Sequence, residues 1–366
     1  MCIPLSEIEP LMDTSTASEL ICQASIIEKN PNLRSQLTSL FNWRETRGQG
    51  KKSKAKSTKF RQIQKALKDE SEILTEHFYS ITAQQPGFAP DTGGALADMT
   101  DCNALAHVHE SLDWLSMKMA KVMSRLQILE DDEANTLETI ATLRNHFQTI
   151  AESCLLVLHL DLRVRCFSLV DHMVKSNDFF IEQNNYNPYA QVKEGNTDKE
   201  AELLSRQLED LSERLNTSLQ PHKFKYIFNG LGPVISNVLI ENCKFIKKVN
   251  VQGVKRICRN IFSIQQKLTN ITLTREADLD SCREFYELLY SKPTEFISLI
   301  EENGLKYASG KQYLAGFDLL HRGEDVDTNK FSMLRNKLQE IIDKDEAKFE
   351  RGRKLEEQES LDIYDK

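Results

Sequence analysis

Two histidines and a glutamate are the residues best suited to binding a metal ion. His107 and His109 are two positions apart, and Glu110 follows directly. Imidazole and carboxylate groups are common metal ligands. Residues two apart on a helix point in different directions, however, so both histidines cannot easily reach one ion. We therefore interpret them as core or surface histidines rather than as a metal site.

Two shorter motifs have parallels in phosphate and metal sites. Gly230 and Gly232 form a GxG within residues 229–233. No strand precedes this motif and no third glycine follows, so it predicts a tight helix contact or a kink rather than a phosphate loop. Asp278 and Asp280 form a DxD pair inside a predicted helix, where a solvated face is expected. The sequence therefore predicts no catalytic residue, no cofactor-binding residue, no metal ligand and no enzymatic activity.

The cysteine spacing and the charge exclude further classes of function. The 8 cysteines include no CxxC, which predicts reduced and mostly buried thiols. A net charge of -8 argues against nucleic acid as a partner, because phosphate binding needs a basic surface. We see neither a signal peptide nor an uncharged stretch near the ~20 residues of a membrane span. We expect a cytoplasmic protein without a small-molecule substrate.

One basic run has a possible role outside the core. Its residues have few acids among them and are Lys51, Lys52, Lys54, Lys56, Lys59, Arg61, Lys65 and Lys68. Clustered lysines near an anionic membrane gain about 1 kcal/mol each. The run predicts a flexible, solvated loop, and binding to anionic lipid is the alternative.

Apolar residues three or four positions apart predict the elements that carry these side chains. One predicted face contains Leu105, Leu112, Leu115, Met119, Val122, Met123, Leu126 and Leu129. The next contains Leu137, Ile140, Leu143, Phe147, Ile150, Cys154, Leu158, Leu162 and Phe167. Only 14 glycines and 9 prolines are present, which argues against an all-β chain. The pattern predicts an all-α fold of elongated tandem helical bundles.

Local signals predict where individual helices begin and end. Five leucines, from Leu204 to Leu219, form one stripe that we expect to pack within its own bundle rather than in an intermolecular coiled coil. Gly253 is expected at a joint between helices. Thr274 is the predicted N-cap of the following helix. Pro293 opens a short helix and Gly304 closes it.

Composition divides the chain into four parts. Residues 1–83 form a predicted N-terminal helical segment with a basic loop at 44–58, and residues 84–101, rich in Pro and Gly, form a linker. The C-terminal helical bundles occupy residues 102–345. A charged tail at 346–366 follows.

Several segments resemble the exocyst complex component four family. NALAHVHESLDWL at residues 103–115 and CLLVLHLDLRVRCF at 154–167 are two of them. The most specific region is 220–290, which contains HKFKYIFNGLG, KRICRNIF, QQKLTNIT and READLD. The resemblance covers most of the chain and corresponds to the C-terminal part of much longer family members.

The resemblance implies both an architecture and a role. It implies helical bundles of the multisubunit-tether (CATCHR-like) type and a non-catalytic exocyst subunit that tethers secretory vesicles to the plasma membrane before fusion. Other exocyst subunits are the implied partners, and small GTPases and an anionic membrane surface are further candidates. We expect a cytoplasmic protein peripherally associated with the plasma membrane and secretory vesicles. The alternative is a membrane-surface adaptor that binds anionic lipid through the lysine-rich loop.

Overall fold

A computed structural model describes residues 99–126, 134–181, 197–323, 329–345 and 347. The predicted N-terminal segment 1–83, with its basic loop 44–58 and the basic run, lies outside these residues. So do most of the linker 84–101 and the charged tail 346–366 apart from residue 347. Those parts of the predicted domain organisation stay predictions.

The described residues fold into α-helices, and the all-α prediction is confirmed. In chain order the helices are α1 (Met99–Leu126), α2 (Ala134–Ser176), α3 (Lys199–Ser218), α4 (Pro221–Phe228), α5 (Leu231–Asn242), α6 (Val251–Thr272), α7 (Ala277–Glu287), α8 (Pro293–Asn303), α9 (Gly310–Gly323) and α10 (329–345). Short 3-10 turns, Cys243–Phe245 and Leu288–Tyr290, follow α5 and α7. Among these residues, no helix has the length and apolar character needed to cross a membrane.

Local chemistry explains the ends of α8 and α7. Pro293 is the first residue of α8, where its missing N–H costs nothing, and Gly304 ends the helix at a φ of 69°. Both predictions are confirmed. The predicted N-cap Thr274 is wrong, because Glu276 occupies that position before α7. The hydroxyl of Thr274 instead donates to the Thr272 hydroxyl oxygen at 3.0 Å.

The chain forms two compact units, which are described separately. The first unit contains the described residues up to Leu169, with Leu203–Val234 and Lys267–Thr274. Every residue of α2 from 158 to 169 is buried, so this part of the helix is surrounded on all sides. The stripe from Leu204 to Leu219 is at most 5% exposed. The expectation that these leucines pack within the chain is confirmed.

The second unit contains Val170–Glu202, Ile235–Gln266 and the described residues from Arg275 onward. Its core is aromatic, with fully buried rings from α7, α8 and α9: Phe285, Tyr286, Phe296, Tyr313 and Phe317. The rings of Phe285 and Tyr313 meet edge to face, with centroids 5.7 Å apart. The Tyr313 ring also meets the Phe296 ring of α8 edge to face, with centroids 6.4 Å apart, so these contacts join the three helices.

Gly253 does not lie in a joint, contrary to prediction. It is in the first turn of α6, against the short segment that follows α2. A Cβ atom there would lie 1.7 Å from the carbonyl oxygen of Phe179. Phe179 also pairs with Val249 in an isolated parallel bridge. Only glycine leaves room for this close backbone approach.

Candidate interaction surface

The predicted metal candidates on α1 point in different directions. His109 is buried, and its Nδ1 lies 2.7 Å from the carbonyl oxygen of Ala151 on α2. His107 is exposed, with its Nε2 3.5 Å from the Ser218 hydroxyl. Burial lowers the pKa of His109 below its ordinary value of 6.5. In the described residues, no three His, Cys, Asp or Glu side chains are placed to hold a metal ion.

Glu110 joins α1 to the beginning of α4. Its carboxylate accepts hydrogen bonds from the backbone N–H of Gln220 at 2.9 Å and from Lys223 Nζ at 3.0 Å. The same ammonium group donates to Asp113 at 2.6 Å. A carboxylate beside the first amides of a helix also interacts favourably with the helix dipole. Glu110 therefore holds two helices together, and its charge is used inside the protein.

The glycine motif at residues 229–233 forms a turn that is held by an arginine. Gly230 has a φ of 86° and joins α4 to α5, so the predicted kink is confirmed. The guanidinium of Arg163 donates to the carbonyl oxygens of Ile227 at 3.2 Å and Asn229 at 2.8 Å. A phosphate loop would instead direct backbone N–H groups at an anion. This motif organises the end of α4.

The buried part of α2 carries further polar groups that are satisfied internally. Asp161 and Arg165 form an ion pair at 2.7 Å, with side chains 1% and 5% exposed. The Nδ1 of His159 lies 3.2 Å from the Tyr226 carbonyl oxygen, and the two rings stack at 4.4 Å. Sequence reasoning passed over these residues, although charges within an otherwise apolar run are a usable signal. The segment 154–167 is therefore an internal scaffold.

The DxD pair and the described cysteines also have structural roles. Asp278 and Asp280 lie in the first turn of α7 rather than in its interior. A hydrogen bond from Arg275, at 2.6 Å, lowers the pKa of Asp280. The described cysteines are free thiols, buried except for the partly exposed Cys258, as predicted. Burial raises the pKa of the Cys166 thiol to about 12, which makes it a poor nucleophile.

The outward face of α1 is the feature best suited to bind another protein. Trp114, Met117 and Val122 are 56%, 48% and 48% exposed. The Lys118 ammonium lies 5.1 Å from the centre of the Trp114 ring, and Lys121 is exposed nearby on the helix. We call Trp114, Met117, Lys118, Lys121 and Val122 the α1 outer face. Exposed aromatic and methionine side chains are enriched where proteins bind each other.

Two side chains predicted to face inward are exposed. Val122 belongs to the α1 outer face, and Leu143 on α2 is 37% exposed. The physical reason is that this part of the α1–α2 pair has limited cover: none of the residues from 136 to 150 is fully buried. Apolar spacing alone cannot distinguish a covered stripe from its uncovered neighbour when both contain apolar residues.

Comparison with known proteins identifies related chains, although no protein-family model matches. The chain is 34% identical to Exocyst complex component 4 of Homo sapiens over 349 residues, which cover 88% of this chain and 34% of that protein. It is 28% identical to Exocyst complex component 4 of Drosophila melanogaster over 346 residues, covering 86% and 33%. It is 22% identical to Exocyst complex component SEC8 of Arabidopsis thaliana over 212 residues, covering 57% and 19%. The chain thus spans about a third of the length of the human and Drosophila relatives.

Proposed function

The chain belongs to the exocyst complex component 4 family, and from this premise we propose that it is a non-catalytic part of a vesicle tether. In this role it binds other exocyst subunits through exposed helix faces. The assembly then holds secretory vesicles at the plasma membrane before fusion. The α1 outer face is the observation that carries the proposal, because it combines large exposed apolar side chains with flanking positive charge.

The internal use of polar groups supports a scaffold role. Lys223 is bonded to two carboxylates, Arg163 to backbone carbonyl oxygens, and Asp161 to Arg165. The bonds of Lys223 and Arg163 join neighbouring helices or the turn between them, and the Asp161–Arg165 pair lies within α2. A charged group that is already engaged in holding helices together is a poor candidate for acid–base chemistry. This internal use of polar groups suits a protein that functions through its exposed surface rather than through a catalytic pocket.

The chemistry of the α1 outer face favours a helical partner with acidic flanks. Trp114, Met117 and Lys121 are three and four positions apart, so they lie about one turn from each other along α1. An amphipathic helix of the partner can place apolar side chains against them at the same spacing. Carboxylates beside those anchors would face Lys118 and Lys121. Tryptophan often contributes much of the binding energy at such interfaces, so truncating Trp114 should cost roughly 2 kcal/mol or more.

Co-purification from cells tests this proposal. The tagged chain should co-purify with other exocyst subunits, and the Trp114→Ala/Met117→Ala variant should recover a several-fold smaller amount of them. Met333→Ala is the matched control, because Met333 is 75% exposed but lies on α10. Failure of the native chain to recover any exocyst subunit would contradict the tether proposal. Equal recovery by the native chain and the α1 variant would instead remove the α1 outer face as the binding site.

The finer parts of the role are also proposals. We propose a cytoplasmic protein peripherally associated with the plasma membrane and secretory vesicles, with small GTPases as candidate regulators. The purified chain should then show no turnover of metabolites. Binding assays with GTPases loaded with GTP or GDP would test the regulatory role, which requires a difference between the two nucleotide states.

A further inference from the structure

A short segment of the second unit presents lysine and phenylalanine side chains to the solvent. Between α5 and α6, Cys243, Ile246 and Val249 are buried, at 0%, 3% and 5% exposure. The residues between them, Lys244, Phe245, Lys247 and Lys248, are all exposed. Because every third residue is anchored in the core, the remaining positions are held outward by the backbone.

The end of α2 adds to the same surface. The Lys175 ammonium lies 4.6 Å from the centre of the Phe245 ring, and the Lys248 ammonium lies 6.0 Å from the centre of the Phe180 ring. The backbone N–H of Asn250 donates to the Phe179 carbonyl oxygen at 3.4 Å, which ties the two segments together. The lysine–phenylalanine patch consists of Lys175, Phe180, Lys244, Phe245, Lys247 and Lys248.

The patch carries a positive charge that its neighbours offset only in part. Asp171 pairs with Lys175 at 2.8 Å, and Glu241 lies 3.6 Å from Lys244. In the described part of the chain, Lys247 and Lys248 have no carboxylate within ion-pair distance. Phe180 and Phe245 remain 39% and 44% exposed. The surface therefore combines net positive charge with accessible aromatic rings.

We propose that the lysine–phenylalanine patch binds the surface of an anionic lipid membrane. Lysines near such a surface are attracted by its negative potential, and phenylalanine rings insert at the boundary between head groups and acyl chains. An acidic protein is the competing partner. Protein interfaces are depleted in lysine and favour arginine, whereas every cation of this patch is a lysine. The composition thus fits a lipid surface better.

Vesicle co-sedimentation with the full chain tests this binding. The native chain should sediment with vesicles of phosphatidylcholine and phosphatidylserine and remain in solution with phosphatidylcholine alone. Lys247→Ala/Lys248→Ala should lower the partition coefficient roughly thirty-fold, because two lysines are removed from the membrane surface. Phe245→Ala should lower it by roughly ten-fold through the loss of the inserted ring. Added salt should weaken the binding of the native chain.

Matched variants test whether vesicle binding depends on the patch itself, rather than on the total charge of the chain or on the basic run. Lys330→Ala/Lys344→Ala removes the same charge from α10, where both lysines are exposed, and Phe262→Ala removes a ring that is 47% exposed on α6. Both should bind like the native chain, and circular dichroism should confirm that every variant is folded. The proposal is overturned if the native chain fails to sediment, or if both lysine pairs reduce binding equally. It also fails if replacing Lys51, Lys52, Lys54 and Lys56 abolishes sedimentation while the Lys247→Ala/Lys248→Ala variant sediments like the native chain. A third contrary result is that the Lys247→Ala/Lys248→Ala variant no longer binds an acidic peptide that the native chain binds, but still binds vesicles.

Discussion

Replacing Arg163 with methionine should destabilise the first unit by about 2–6 kcal/mol. The guanidinium donates to the carbonyl oxygens of Ile227 and Asn229, which lie at the C-terminal end of α4 and just beyond it. Carbonyl groups at a helix end have no amide from a following turn to bond them. Each buried carbonyl left without a donor costs about 1–3 kcal/mol, and methionine fills much of the vacated space. The expected loss follows from these two carbonyls.

Arg163→Lys refines the same prediction. A lysine ammonium has no fork and cannot match the separate bonds that Arg163 Nη1 and Nη2 make to residues 227 and 229. It should therefore recover one carbonyl and lose the other. We expect a loss of stability between those of the native chain and the methionine variant, at roughly half the larger value.

Urea unfolding combined with hydrogen exchange measures these losses. Exchange resolved by peptide is needed because the chain has two units and need not unfold in one step. Amides at residues 227–234 should exchange faster in Arg163→Met. Arg206→Met is the control, since Arg206 is exposed on α3 of the same unit. An unchanged midpoint with unchanged exchange at 227–234, or an equal loss in Arg206→Met, would refute the assignment of Arg163 as the anchor of α4.

Three further predictions concern buried contacts. Gly253→Ala should lower stability by about 3 kcal/mol in thermal unfolding, which is more than the loss expected for Gly316→Ala. A Cβ atom at residue 253 would lie 1.7 Å from the Phe179 backbone, whereas one at residue 316 would lie 3.1 Å from the Phe285 ring. Equal losses in the two variants would contradict this. Tyr286→Phe should cost about 1–3 kcal/mol by removing the donor to the Leu239 carbonyl oxygen, at 2.7 Å, and an unchanged melting temperature would argue against that bond. His109 is neutral when buried and its pKa is below 6.5, so its contribution to stability is complete above about pH 6.5 and declines as the pH falls below it. His109→Gln should flatten this part of the stability profile, and a profile identical to that of the native chain would count against it.

The sequence predicted helix type and several helix ends because these depend on local chemistry. Pro293 and Gly304 act through their own backbone constraints, and both mark the ends of α8 as expected. The stripe from Leu204 to Leu219 is regular enough to predict burial on one face. Thr274 was misplaced because a threonine near a helix has several possible partners, and here the nearer one, Thr272, is bonded instead.

The candidate surface was harder to predict because exposure depends on which helices lie alongside. Val122 and Leu143 continue the apolar spacing of their helices, yet both are exposed where cover is limited. Trp114 presents the same difficulty, since a large aromatic residue is usually expected in the core, and its side chain is 56% exposed. The charges of α2 were missed for a related reason: Asp161 and Arg165 would suit a surface, but they pair with each other inside the unit.

The buried charges of α2 and the exposed Trp114 show that residues that maintain the fold differ from residues available to partners. The segment 154–167, which carries part of the family resemblance, is mostly buried, so changes within it should act through stability before they affect binding. The segment 103–115 contains both kinds of residue, because His109 is bonded inside the unit while Trp114 faces outward. A change at Trp114 can therefore alter binding in a protein that is still folded. Loss of the proposed exocyst partners by a folded Trp114 variant would report on the surface, whereas the same loss by a His109 variant would report on the core.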